Sequence, residues 1–244
     1  MIESQVSSLD SQAFSWLLGH ADDNMVLAQR LGDWISRAPE LEEDIALGNI
    51  ALDHLGVARA LYTLAGAVEG RGRDEDDLVM LRSEPEYRNL LLVEQPNGDF
   101  AHTTVRQFLF DCYQLQLWDD LSTADDVELA GIASRALKEA RYHFRHSSGW
   151  VIRLGDGTEE SSRRAQAGVD ALWRYTDEMF QGDPAGYRVA WERTVMAVLA
   201  EAGLTIPEDP YQRTGGRQGL HSEHLGFLLA EMQWMQRSYP GLKW

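Results

Sequence analysis

The sequence predicts an all-α protein built as a bundle of long helices. Apolar residues recur at intervals of three and four, the spacing that lines one face of a helix. The seven prolines fall at 39, 85, 96, 184, 207, 210 and 240, so Asn97 to Asp183 contains none. Proline inside a helix removes a hydrogen bond and clashes with the turn before it, so such a stretch permits long helices. Alternation of the kind a half-buried strand shows is nearly absent.

Taken in order, a short amphipathic piece is expected near 22–36, preceded by an N-terminal extension or short helix over 1–21. After Pro39, the acidic turn Glu40-Leu41-Glu42-Glu43-Asp44 suits the positive end of a helix dipole. The apolar set Ile45, Ile50, Leu52, Leu55, Ala58, Leu61, Tyr62 and Leu64 then carries a helix to Glu69-Gly70-Arg71-Gly72. Asp74-Glu75-Asp76-Asp77 reads as a solvated acidic helix start or loop. Asp99 is a natural N-cap for a helix with the stripe Val105, Phe108, Leu109, Cys112, Leu115 and Trp118. Another helix is expected from about Ala124 to Gly155. A fourth carries Val169, Leu172, Trp173, Thr176, Met179 and Phe180, and two more cover roughly 187–203 and 221–238. Residues 22–244 are expected to form a single helical domain, with a loop over Pro207–Gly219 whose Thr214–Gly219 stretch reads as a mobile connector.

Composition narrows the function. Lys and Arg number 22 and Asp and Glu 39, a net charge of −17, which argues against nucleic acid or an anionic membrane as main partner. No apolar run has the roughly 18 residues that a membrane span needs. No signal peptide is visible at Met1-Ile2-Glu3-Ser4-Gln5, so a cytoplasmic location is expected. The lone Cys112 excludes an internal disulfide framework and reads as a small core residue.

Long bundles often house a di-metal carboxylate site, which takes a Glu from each of two helices and a Glu-x-x-His pair from each of two others. The residues three before His20, His54, His143, His146, His221 and His224 are Leu17, Ala51, Ala140, His143, Gln218 and His221; only His102 follows a carboxylate, the cap residue Asp99. No Glu-x-x-His exists in the chain. The standard di-iron signature is therefore missing, and no metal ligand set is expected here. Glu139, His143 and His146 lie on one helix face and form half of a metal site, a polar cluster inside the bundle, or plain surface. His221-Ser222-Glu223-His224 reads as a helix start, with Ser222 as cap. Thr214-Gly215-Gly216-Arg217-Gln218-Gly219 lacks the ending of a phosphate loop, but Arg213 and Arg217 are candidate contacts for the phosphates of a substrate. Ser147-Ser148-Gly149 sits in a continuing helix and is no nucleophile elbow. Trp34, Trp118, Trp191 and Trp244 are candidate interface anchors.

With those segments in hand, the chain resembles the C-subunit family of the multicomponent phenylacetyl-CoA epoxidases. The resemblance is carried by Arg30-Leu31-Gly32-Asp33-Trp34 with Ala38-Pro39-Glu40-Leu41-Glu42, by Leu90-Leu91-Leu92-Val93-Glu94-Gln95-Pro96-Asn97-Gly98, and by Lys138-Glu139-Ala140-Arg141-Tyr142-His143 with Gly149-Trp150. A further match runs from Tyr211-Gln212-Arg213-Thr214-Gly215-Gly216 into Gly219-Leu220-His221-Ser222-Glu223-His224-Leu225-Gly226. The resemblance implies a ferritin-like bundle in a non-catalytic structural subunit that pairs with an oxygenase A subunit and sits among other epoxidase subunits. It implies di-iron in that partner, and NADPH, flavin and an iron–sulfur cluster in a reductase, with no cofactor in this chain. Two rivals stand beside it: a di-metal oxygenase with an atypical ligand set drawn from Asp44, Glu139, His143, Glu201 or Glu223, and a free-standing helical interaction module.

Overall fold

The computed structural model describes residues 2–182, 185–208 and 211–241, with side chains described from residue 11 onward except at 185. Trp244 lies outside the described residues. Among those residues there are helices and turns and no strand. The chain divides into two compact units, one of Met1–Gln95 with Gly215–Trp244 and one of Pro96–Thr214.

The first unit is organised by α1, Ile2–Gly32, and α2, Leu41–Glu69, its most extensively packed pair. The sequence pattern starts a short helix near residue 22, whereas the structure runs one helix from Ile2, so the expected extension and the expected piece are one element. Leu17, Leu18, Ala21, Val26, Leu27 and Leu31 face inward on α1 and are buried. On α2 the predicted apolar set separates into two faces. Ile50, Ala58, Leu61, Tyr62 and Leu64 are buried, while Ile45, Leu52 and Leu55 are exposed. The helix ends where Gly70 takes a left-handed conformation, φ 67°, and returns its N–H to the Gly66 carbonyl.

The acidic run does start a helix. Asp74 accepts from Asp77 N and Asp77 from Asp74 N, a reciprocal box that opens α3, Glu75–Met80. Residues 87–95 then form neither helix nor strand, yet Tyr87, Asn89, Leu90, Leu92, Val93 and Glu94 are buried. A buried irregular segment must find partners for its backbone groups; here side chains from α1 supply several. The unit closes with a turn over Gly216–Gln218, then α8, Glu223–Met232, and α9, Trp234–Ser238. Ser222 occupies the N-cap position of α8, but its hydroxyl makes no cap bond, contrary to the sequence expectation.

The second unit is built on α4, Phe100–Leu121, packed on α5, Val127–Gly155, with α6, Glu159–Leu172, and α7, Ala185–Glu201, laid against both. Asp99 caps α4 through the His102 N–H at 2.9 Å, as its position predicts. The expected fourth helix is α6, displaced toward the N-terminus: it starts at Glu159 behind a Thr158–Ser161 capping box and gives way to 3₁₀ turns after Leu172. Gly168 lets α6 approach α4 closely, since a Cβ there would sit 3.4 Å from Val105. Most of α4 is buried around its circumference, including Trp118 and Cys112.

Candidate functional site

The polar groups hidden in the first unit begin with two adjacent carboxylates on α1. Asp22 and Asp23 are both 0% exposed, in the middle of an apolar helix face. Asp22 Oδ1 accepts from the Tyr62 hydroxyl at 2.5 Å and its Oδ2 from Arg82 Nη1 at 3.0 Å and the Arg88 N–H at 2.8 Å. A second guanidinium N–H of Arg82 also reaches Asp22, making the fork-on-carboxylate pair that suits a dry interior. Burial opposes the Arg82 charge, but the Asp22 carboxylate outweighs it and holds the guanidinium charged. The Arg82 plane stacks 4.2 Å from the Tyr87 ring centroid.

Asp23 points the other way. Its Oδ1 accepts from the Leu90 N–H and its Oδ2 from Arg217 Nη2, both at 2.7 Å. Burial pushes its carboxyl up to about 6 against the pull of Arg217. His20, 3.7 Å from Asp23, is held neutral by burial and by the Arg217 charge. Arg217, a candidate substrate contact in the sequence, also donates to the Arg88 carbonyl at 2.7 Å, so its guanidinium is engaged within its own unit.

Glu94 is the third buried carboxylate. It accepts from the Ser222 N–H at 2.6 Å, from Asn89 Nδ2 at 2.9 Å and from His221 Nδ1 at 2.8 Å. The other His221 nitrogen faces the Tyr87 carbonyl at 3.1 Å. Both ring nitrogens thus meet acceptors, which requires both to carry hydrogen. Burial opposes that charge, yet Glu94 wins and raises the His221 pKa above its ordinary value. The Glu94 backbone carbonyl accepts from Arg30, whose Nη2 also reaches the His224 carbonyl at 3.2 Å. These bonds join two of the segments that carry the family resemblance, the one around Glu94 and the one around His221.

In the second unit, Asp111 on α4 is 0% exposed and accepts from Ser147 Oγ on α5 and from Gln107 Nε2, both at 2.7 Å. A His143 ring nitrogen lies within 4.8 Å of an Asp111 oxygen. Burial raises the Asp111 carboxyl to about 6, against the pull of His143 and its two hydrogen-bond donors. Of the predicted cluster, His143 is buried while Glu139 and His146 are half-buried, and the carboxylate brought beside His143 is Asp111 from the neighbouring helix. The other residues of the rival ligand set are dispersed. Asp44 accepts from the Ser36 N–H at 2.7 Å, Glu223 is exposed in the first turn of α8, and Glu201 is exposed at the end of α7. Cys112 is buried, and burial pushes its thiol well up, so it behaves as a core residue.

The remaining candidates divide cleanly. Trp118 and Trp191 are 1% and 2% exposed and offer no surface for an interface. Trp191 instead donates to the Leu109 carbonyl at 2.9 Å and packs on Trp173 and Phe180. Trp34 is half-buried. Arg213 is exposed with its guanidinium 5.3 Å from the Tyr211 ring. Asp22, Asp23, Arg82, Glu94 and Asp111 do not stand out in the sequence. Their signal is a carboxylate or guanidinium inside an apolar run, as in Leu92-Val93-Glu94 and Leu109-Phe110-Asp111-Cys112.

No helix among the described residues is long and apolar enough to cross a membrane. Residues 2–244 match the family model described as phenylacetic acid catabolic protein, a family with a ferritin-like helical fold. The chain is 46% identical over 248 residues to the C subunit of the 1,2-phenylacetyl-CoA epoxidase of Escherichia coli (strain K12), covering 96% of this chain and 100% of that one. By its helical architecture and by matches along its length, this chain belongs to the phenylacetic acid catabolic protein family.

Proposed function

We propose that this chain is the non-catalytic structural subunit of a cytoplasmic, multicomponent 1,2-phenylacetyl-CoA epoxidase, pairing with and stabilising a di-iron oxygenase subunit. The observation that carries this reading is the match to a protein named as the C subunit of that epoxidase, at 46% identity and with full coverage of the relative. Electrons from NADPH would reach the oxygenase through a reductase that holds flavin and an iron–sulfur cluster.

The chemistry of the buried carboxylates supports the non-catalytic part. A di-iron centre needs oxygens whose lone pairs are free to face a cation. Asp22 faces Arg82, Asp23 faces Arg217, and Glu94 faces His221 and a backbone N–H. Those cations occupy the ground that a metal would take and neutralise the same charge. The sequence also lacks every Glu-x-x-His pair. A rigid sister chain then has a clear physical role, because catalytic ligands tolerate little misplacement. An obligate interface of over about 2,000 Å² can hold their helices in register.

A second reading, in which this chain carries its own metal, draws on Asp111 and His143, a buried carboxylate and imidazole on packed helices. Deleting this chain while expressing the oxygenase subunit alone separates the two. The structural role predicts an oxygenase subunit that becomes insoluble or loses iron. An oxygenase subunit that stays folded, iron-loaded and fully active by itself would overturn it.

A further inference from the structure

The face of α2 turned away from the core of its unit carries Leu41, Ile45, Gly48, Leu52 and Leu55, separated by four, three, four and three residues. That is the heptad spacing of a helix seam, which ordinarily meets a second helix. The four large residues are 72%, 57%, 65% and 42% exposed. Beside them, Met25, Ala28 and Ile35 complete an apolar groove of about 450 Å³ between α1 and α2. Contiguous exposed apolar surface of this kind marks an interaction site.

The glycines of the helix sharpen the point. A Cβ at Gly48 or Gly56 would meet nothing within 4 Å, so no close contact among the described residues calls for glycine at either position. Glycine inside a helix weakens it relative to alanine. Close approach of another backbone is what a glycine on a seam permits.

Asp44 lines the groove, and the segment that leads into α2 is acidic. Residues 33–44 contain five carboxylates (Asp33, Glu40, Glu42, Glu43 and Asp44) and one basic residue, Arg37. A second copy of this chain laid face to face would set acid against acid, in a chain already at −17. We infer that the α1–α2 groove is the docking surface for a helix of a different chain, apolar along its centre and flanked by lysine or arginine. This rests on the pairing reading above and assigns the oxygenase subunit to that face.

The test co-expresses the full chain with a tagged oxygenase subunit and measures the apparent Kd by titration. Leu52→Asp and Gly48→Leu should each weaken association about tenfold or more. Gly48→Ala should leave the thermal midpoint of the free chain unchanged or higher. Phe227→Asp, at a side chain 73% exposed on α8, serves as the control and should bind as wild type. Raising salt should weaken the wild-type pair. Tenfold loss in both groove variants with a normal control supports the assignment. Wild-type affinity in Leu52→Asp and Gly48→Leu overturns the groove while leaving the pairing reading in place. No association of the wild-type chains overturns the pairing reading itself. A homodimer of this chain that Leu52→Asp dissolves overturns the choice of a different chain as occupant.

Discussion

His221 Nδ1 lies 2.8 Å from Glu94 Oε2, closing a contact between side chains that are both 0% exposed and stand 127 residues apart in the chain. With Asn89 and the Ser222 N–H on the same carboxylate, it anchors the irregular segment before Pro96 to the start of α8. Removing one partner of such a pair leaves an uncompensated buried charge. Glu94→Ala is expected to cost on the order of 3–5 kcal/mol, read from urea unfolding.

The same pair sets a pH dependence. The folded pKa of His221 is raised, so its contribution is complete below the unfolded value near 6.5 and is lost as pH rises through the folded value. The stability gap between wild type and Glu94→Gln should therefore be larger at pH 6 than at pH 9. An equal gap at both would mean that His221 is neutral in the folded chain.

Asp22 holds Arg82, Tyr62 and the Arg88 N–H together. Asp22→Ala should destabilise by about 3–5 kcal/mol, because Arg82 stays buried without its counter-charge. Tyr62→Phe removes one hydrogen bond to a charged group and should cost about 1.5–3 kcal/mol. Thermal melts of the two variants check the order of the effects.

Asp111 behaves in the opposite sense to a carboxylate held by a salt bridge. Its folded pKa, about 6, stands above the ordinary value of 3.8, so the folded state holds its proton more tightly. Stability relative to Asp111→Asn should fall as pH rises from about 4 to about 6 and level off above. Chemical denaturation of both proteins across that range reads the slope directly.

Ser36 is the one non-glycine residue with positive φ, at 67°, among the described residues, and its N–H donates to Asp44. A left-handed conformation costs an L-residue about 1–2 kcal/mol. Ser36→Gly should raise the thermal midpoint, whereas Asp44→Ala, which removes the acceptor for that N–H, should lower it.

Helix existence was legible in the sequence because periodicity and proline placement act locally. Asp99 read as a cap is a cap, and Glu69-Gly70 read as a stop is one. The start of α1 was hidden because Ser4, Ser7, Ser8 and Ser11 dilute its apolar pattern. The division of the α2 stripe could not be read, since Ile45 and Ile50 look alike in sequence and differ only in what lies beside them. The buried ion pairs were hidden for the same reason: Asp22 and Arg82 meet across 60 residues, and no local spacing announces such a meeting.

The most direct measurement of the central claim counts iron per chain after the co-expressed pair has been purified and its two chains separated under native conditions. The structural-subunit account predicts iron with the oxygenase chain and only trace metal on this one, unchanged by Asp111→Ala or Glu139→Ala. Near-stoichiometric iron on this chain, lost in either variant, would contradict it.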